Sequence, residues 1–65
     1  MKITINGKEK DIAEGTTAQQ LLLQLNLKGP LALELNRKLC PKSQHARTIL
    51  ENGDALEIVT IVGGG

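Results

Sequence analysis

The sequence predicts an α+β fold in which one main helix packs across one face of a mixed sheet. Three observations carry this expectation. Ile3 and Ile5 alternate with Lys2 and Thr4 ahead of an Asn6-Gly7 dipeptide, the pattern of a half-buried strand entering a tight hairpin. Ala18, Leu21, Leu22 and Leu25 recur at i, i+3, i+4 and i+7, one apolar stripe of a helix. Leu31, Leu33 and Leu35 then alternate with Ala32 and Glu34, so a strand follows that helix. A strand hairpin, a helix and further strands in this order suit a helix laid over a sheet, with a right-handed crossover between them.

Each element has a local cause. Asn6-Gly7 tolerates positive φ at both positions, as a type I′ turn demands. Lys8 to Ile12 is the returning strand. It is mostly polar, so it reads as an edge, where charge discourages pairing with other chains. Glu14-Gly15 turns the chain, and Thr17-Ala18-Gln19-Gln20 has the form of a capping box with Thr17 as N-cap. The helix is expected to stop near Leu27-Lys28, with Gly29 in the left-handed capping position and Pro30 forbidding continuation. Asn36-Arg37 turns the next strand into a short return, Lys38-Leu39-Cys40, ended by Pro41. Ser43 to Arg47 is read as a loop or single helical turn with Ser43 as its cap. Thr48 to Leu50 is a short apolar segment, Glu51 to Asp54 a turn, and Ala55 to Val62 the last and most apolar strand.

Composition narrows the function classes. At 65 residues there is room for one small domain, expected over 1–62, with residues 63–65 as a flexible glycine tail. A single cysteine excludes an internal disulfide and favours a reducing compartment. There are no aromatic residues, so the core must be aliphatic and base stacking on single-stranded nucleic acid is not expected. Eight Lys and Arg against seven Asp and Glu leave a net charge of +1, with no basic field for phosphate backbones. No apolar run reaches the roughly 18 residues that cross a bilayer, and the opening Met1 to Thr4 lacks a signal-peptide core. A soluble cytoplasmic domain without nucleic-acid or membrane partners is the expectation.

The chain closes on Val62-Gly63-Gly64-Gly65. Glycine has no Cβ, so each residue enters a slot that any side chain would block. The last group is then an α-carboxylate, ionised at neutral pH with a reference pKa of about 3.5. Extended, these four residues reach roughly 13 Å. Such a stalk suits delivery of an oxygen nucleophile into another protein's active site; the competing reading is a floppy terminus. If Leu56 and Ile58 face the helix, Glu57, Val59 and Ile61 face away. Val59 and Ile61 are then an exposed apolar strip beside the tail, either a partner site or ordinary surface scatter.

Other residues invite chemistry and are read as structural. Cys40 is expected to be a small packed hydrophobe, with a covalent link to a partner as the alternative. His45 is expected to be a solvated loop histidine. Cys40 and His45 together do not make a metal site, which takes three or four ligands. Asp11, Glu14, Glu51 and Asp54 show no paired-carboxylate arrangement, and Asp54 is read as turn chemistry beside Gly53.

Taken together, several short motifs in order resemble a known family. They are Ile3-Thr4-Ile5-Asn6-Gly7, Gly15-Thr16-Thr17 leading into Leu21-Leu22, Leu33-Glu34-Leu35-Asn36, Pro41 with Ala46 beyond it, Gly53-Asp54, Glu57-Ile58-Val59 and the terminal Ile61-Val62-Gly63-Gly64-Gly65. Across its whole length the chain resembles the ThiS-like sulfur carriers of thiamine biosynthesis, members of the β-grasp, ubiquitin-like fold. The resemblance implies a protein co-substrate rather than an enzyme. A ThiF-like adenylating enzyme would bind ATP and Mg²⁺ and activate the Gly65 carboxylate. A sulfur donor, a cysteine desulfurase or its equivalent, would convert the adenylate to a thiocarboxylate. A ThiG-like thiazole synthase would receive the sulfur. Gly64, Gly63, Val62, Ile61 and Val59 would then contact partners, and the chain itself would hold no cofactor and no metal. The absence of a phosphate-binding loop agrees with ATP chemistry belonging to a partner. His45 stands where many relatives carry an aromatic, so no role is carried over onto its loop. The same fold and tail also suit carriers for molybdopterin or tRNA thiolation and small protein modifiers. A non-covalent interaction domain with incidental glycines, or an enzyme using Cys40, are the readings from other classes.

Overall fold

The last strand of the chain lies in the middle of its sheet. The computed structural model describes residues 1–27 and 29–61. Its strands are β1 (Lys2–Ile5), β2 (Lys8–Asp11), β3 (Leu31–Leu35), β4 (Lys38–Leu39) and β5 (Ala55–Thr60), with helix α1 (Ala18–Gln24) and a 3₁₀ helix (Lys42–Arg47) between them. The sheet order is β2-β1-β5-β3-β4. β5 runs parallel to β1 and antiparallel to β3, which makes the sheet mixed. The predicted α+β architecture is therefore observed, with β2 on an edge as expected.

The first hairpin forms for the anticipated reason, and the second, expected only as a turn, shares its geometry. Asn6 and Gly7 take φ values of 50° and 83°, and Asn36 and Arg37 take 52° and 69°. These are the left-handed values of a type I′ turn. Gly7 occupies its position without strain, whereas Arg37 holds an L side chain where a left-handed conformation costs about 1–2 kcal/mol. Arg37→Gly is therefore expected to stabilise the domain by about 0.5–1 kcal/mol after the extra chain entropy of glycine is offset. Thermal unfolding would show this as a rise of several degrees; an unchanged or lower midpoint would contradict the strain.

Helix α1 starts as predicted and stops early. Thr17 Oγ1 accepts from the Gln20 amide at 3.1 Å, and Gln20 Oε1 accepts from the Thr17 amide at 3.0 Å. The end does not reach Leu27-Lys28. Asn26, at φ 57°, takes the left-handed position expected for Gly29. The Asn26 amide donates to Leu23 and the Leu27 amide to Leu22, the two bonds of a Schellman cap. Asparagine tolerates this conformation, so the helix ends one turn before the glycine and proline that would have ended it. Gly29 is also left-handed, in the connection to β3; Lys28 lies outside the described residues.

The 3₁₀ helix corrects two further expectations. Pro41, not Ser43, sits at its N-cap, and no side chain caps it. His45 is not solvated: it is 8% exposed, and its Nε2 donates to the Cys40 carbonyl at 2.9 Å. The tight turn rolls the imidazole inward, against the Cys40 carbonyl. Cys40 is a packed hydrophobe as expected, 8% exposed, with Sγ 3.7 Å from Thr48 Oγ1.

The core lies between α1 and one face of the sheet. Ile3, Leu21, Leu33, Leu50 and Leu56 are its largest fully buried side chains, joined by Ile12, Ala18, Leu22 and Cys40. Each large aliphatic contributes about 1.5–3 kcal/mol on burial. Segment 48–50 fastens the start of the helix: Ala18 donates to Thr48 and Leu50 to Thr16, both at 2.9 Å. Among the described residues one α-helix packs on the sheet, and it covers one face.

Candidate functional site

The alternation of β5 decides what its two sides present. Leu56 is 1% exposed and Ile58 half-buried toward the helix, while Glu57 points outward. Val59 is 60% exposed and Ile61 55% exposed. The facing expected for Val59 and Ile61 is thus observed. β5 itself ends at Thr60, but its pairing with β3 continues one residue further: the Ile61 amide donates to the Pro30 carbonyl at 2.9 Å. Val62, Gly63, Gly64 and Gly65 lie outside the described residues, so the expectations placed on them are carried forward as proposals.

Two asparagines, read in the sequence only as turn formers, fix this strand from both sides. β1 ends at Ile5, yet Asn6 continues its work with a side chain. Its Oδ1 accepts from the Ile58 amide at 2.8 Å and its Nδ2 donates to the Ile58 carbonyl at 3.2 Å. The carboxamide thereby stands in for one more residue of the parallel ladder. On the opposite side Asn36 Oδ1 accepts from the Ala55 amide at 2.9 Å, and its Nδ2 donates to Asp54 Oδ1 at 3.0 Å. Asp54 Oδ2 accepts from the Glu51 amide at 2.8 Å, which closes the turn before β5. The signal for these roles was the repeated Asn at the first turn position of two hairpins.

Nothing in the described residues resembles a self-contained catalytic centre. No group of three His, Cys, Asp or Glu side chains is placed to hold a metal ion among them. Cys40 and His45 are spent on packing and on one backbone hydrogen bond. On the helix side an apolar groove runs between α1 and the start of β3, lined by Leu22, Leu23, Leu27, Pro30 and Leu31. Pro30, which anchors Ile61, borders it. No helix of the described residues is long and apolar enough to cross a membrane.

Comparison with known proteins gives the same answer by three routes. Residues 3–65 match the ThiS family. The sulfur carrier protein ThiS of Escherichia coli is 32% identical over 66 residues, and the match covers 100% of both chains. A thiazole synthase of Paramagnetospirillum magneticum is 39% identical over 66 residues; there the match covers the whole of this chain but only 20% of the longer protein. The chain thus spans about a fifth of that synthase. The crystal structure of the thiamine biosynthesis protein ThiS from Geobacter metallireducens superposes with a TM-score of 0.85, at 30% identity and with 100% of both chains covered. A β-grasp sheet with a helix across one face, a central last strand and a full-length match together place the chain: it belongs to the ThiS family.

Proposed function

We propose that this chain is a sulfur carrier in thiamine biosynthesis, a protein co-substrate that lends a reactive terminus to partner enzymes. The observation that carries the reading is the position of β5. The central strand holds an exposed Val59 and Ile61 and leads in sequence straight into Val62-Gly63-Gly64-Gly65. The end-to-end match to the Escherichia coli carrier supports it, as does the occurrence of a similar segment within a thiazole synthase.

In this reading Gly65 ends the chain with a free carboxylate. A ThiF-like adenylating enzyme supplies ATP and Mg²⁺. A carboxylate oxygen bonds to the α-phosphorus, pyrophosphate leaves, and the acyl-adenylate makes the Gly65 carbonyl carbon electrophilic. Reduced sulfur from a sulfur donor adds at that carbon, AMP leaves, and a thiocarboxylate remains. A ThiG-like thiazole synthase consumes it. Gly63 and Gly64 keep the approach thin, and Val62, Ile61 and Val59 meet the partner's surface. The chain contributes position and a leaving-group-ready terminus; it holds neither nucleotide nor metal.

The intact mass of the chain tests this directly. After incubation with ATP, a sulfur source and the host's adenylating enzyme, a species heavier by one sulfur-for-oxygen exchange at Gly65 is expected. A chain left unchanged by that enzyme, folded and with its native terminus, contradicts the proposal. Val59→Lys probes the docking strip. Since Val59 is exposed, stability should change by no more than about 1 kcal/mol. Adenylation at limiting enzyme should fall about tenfold or more, because docking would take a charged side chain out of water where valine makes an apolar contact. Unfolding of Val59→Lys would show instead that this side of β5 is needed for the core.

A further inference from the structure

Past Ile58 the sheet narrows to two strands. β1 pairs with β5 only at Thr4–Ala55 and Ile5–Leu56, and the chain then turns away at Asn6-Gly7. β3 continues along the other side of β5 to the Leu31–Thr60 pair, with the Ile61–Pro30 hydrogen bond one step further. Pro30 to Ala32 and Val59 to Ile61 therefore form a ribbon that projects beyond β1. Little burial holds it: Val59, Thr60 and Ile61 are exposed, and Leu31 and Ala32 are only half-buried. A notch lined by Ile5, Asn6, Leu25, Leu27, Ile58 and Thr60 lies on the side that β1 has left. Two-stranded ribbons are marginal in water and twist more than wider sheets.

Asn6 ties this ribbon to the rest of the sheet on that side. Its own amide donates to the Leu56 carbonyl at 2.9 Å. Its carboxamide then reaches two residues further, accepting from the Ile58 amide at 2.8 Å and donating to the Ile58 carbonyl at 3.2 Å. Among the described residues no other group on the β1 side bonds the backbone of β5 beyond Leu56. Asn36 provides an internal match. It takes φ 52° at the same position of its turn, against 50° for Asn6. Its amide donates to the Ala55 carbonyl at 2.8 Å, and its Oδ1 accepts from the Ala55 amide at 2.9 Å. Asn36 thus grips β5 in the same way, at the end far from the terminal glycines.

We propose that Asn6 is a positioning residue of the carrier reaction, whose carboxamide sets the direction in which the β3–β5 ribbon, and the terminal segment after it, leaves the sheet. The assignment rests on the function proposed above and adds to it the device that aims the terminus. From Ile58 to Gly65 an extended chain spans about 23 Å, at about 3.3 Å per residue. A swing of about 10° at Ile58 then moves the end by about 4 Å, more than the roughly 3–3.5 Å that separates reacting atoms. A ribbon tied at Ile58 offers the terminus in few directions, so little freedom is lost when the terminus enters a partner. An untied ribbon has to be ordered at that moment, and only a fraction of docked complexes is then competent. Val59 and Ile61 stay exposed on the ribbon in either case, so docking suffers less than the chemistry that follows it.

ATP–pyrophosphate exchange by the host's adenylating enzyme, measured against carrier concentration, tests this with Asn6→Gly and Asn36→Gly. Glycine accepts the positive φ of both turns, so each variant removes the side-chain clamp and leaves the turn. Asn6→Gly is expected to lower kcat about fivefold to tenfold, with KM for the carrier within about twofold of wild type. Asn36→Gly is expected to keep kcat within about twofold, although both variants lower the unfolding midpoint. A merely structural Asn6 would act through the folded fraction, which raises the apparent KM and leaves kcat at saturation unchanged. Amide hydrogen exchange is expected to quicken about tenfold at Ile58 in Asn6→Gly and at Ala55 in Asn36→Gly, as each clamp is lost. An unchanged kcat in Asn6→Gly, or equal losses of kcat in both variants, overturns the proposal. If Asn6→Gly does not fold, Asn6→Asp is used, which keeps the acceptor for the Ile58 amide but sets an oxygen against its carbonyl. A smaller drop in kcat is expected there, and a wild-type kcat overturns the proposal. The wild-type mass shift is read in parallel. If it appears while Asn6→Gly keeps its kcat, the positioning role fails and the carrier function stands. If wild type itself is never adenylated, both fail.

Discussion

Removal of Gly64 and Gly65 is expected to abolish thiocarboxylate formation while changing stability by less than about 0.5 kcal/mol. The two halves of this prediction come from different parts of the molecule. Every buried core residue among the described residues lies between Ile3 and Leu56, and the last backbone hydrogen bond that joins β5 to its neighbours among them runs from Ile61 to Pro30. The truncation removes no residue of that core and no hydrogen bond of the described sheet. The chemistry, in contrast, needs the carboxylate at one depth in the partner. Two residues fewer move it back by about 6–7 Å, whereas reaction needs atoms about 3–3.5 Å apart. A loss of at least about 10³-fold is expected, of the size set by positioning effects rather than by one lost contact. Adenylate-dependent pyrophosphate exchange and intact mass check the first half, and thermal unfolding checks the second. A truncated chain that still acquires sulfur would remove Gly65 from the reaction. Association through the exposed Val59 and Ile61 should largely survive the truncation, which separates docking from chemistry.

Much of this arrangement is legible in local sequence because its causes are local. Asn6-Gly7 names its turn, Thr17 and Gln20 name their capping box, and the Leu spacing names the buried side of α1. The outward facing of Val59 and Ile61 follows from a two-residue period anchored on Leu56. What escaped the sequence depends on residues far apart. The central position of β5 rests on parallel pairing of Thr4 with Ala55 and Ile5 with Leu56, across some fifty residues of chain. The Asn6 side chain meets Ile58 only after that pairing forms. Glu34 faces Glu57 only in one register of β3 against β5, and a slip of one residue would dissolve the pair. His45 misled for a related reason. A polar residue in a polar stretch reads as exposed, and only the 3₁₀ turn against the Cys40 carbonyl gives its nitrogen a buried partner. The helix end failed on competition: Asn26 could take the left-handed cap before Gly29 was reached.

Leu56→Ala provides the opposite experiment, a chain with all of its chemistry and too little fold. Leu56 is 1% exposed in the central strand, paired with Ile5 on one side and Leu35 on the other. Truncation leaves a cavity in the one core and is expected to cost about 3–4 kcal/mol. A domain of 65 residues has roughly 3–10 kcal/mol in total. Its single cysteine is free, so no disulfide constrains the unfolded chain, and no aromatic side chain is available to close the gap. The unfolding midpoint should therefore fall by more than about 15 °C. Sulfur acquisition at growth temperature should fall with the folded fraction although Val59, Ile61 and the glycines are unchanged, because the exposed strip exists only while β5 lies between β1 and β3. Cooling should restore the reaction, and Leu56→Met, which nearly conserves volume, should lose less than about 1.5 kcal/mol and keep it. Normal sulfur acquisition by a Leu56→Ala chain that is mostly unfolded would mean that the tail is recognised as a peptide. The sheet would then have no part in presenting it.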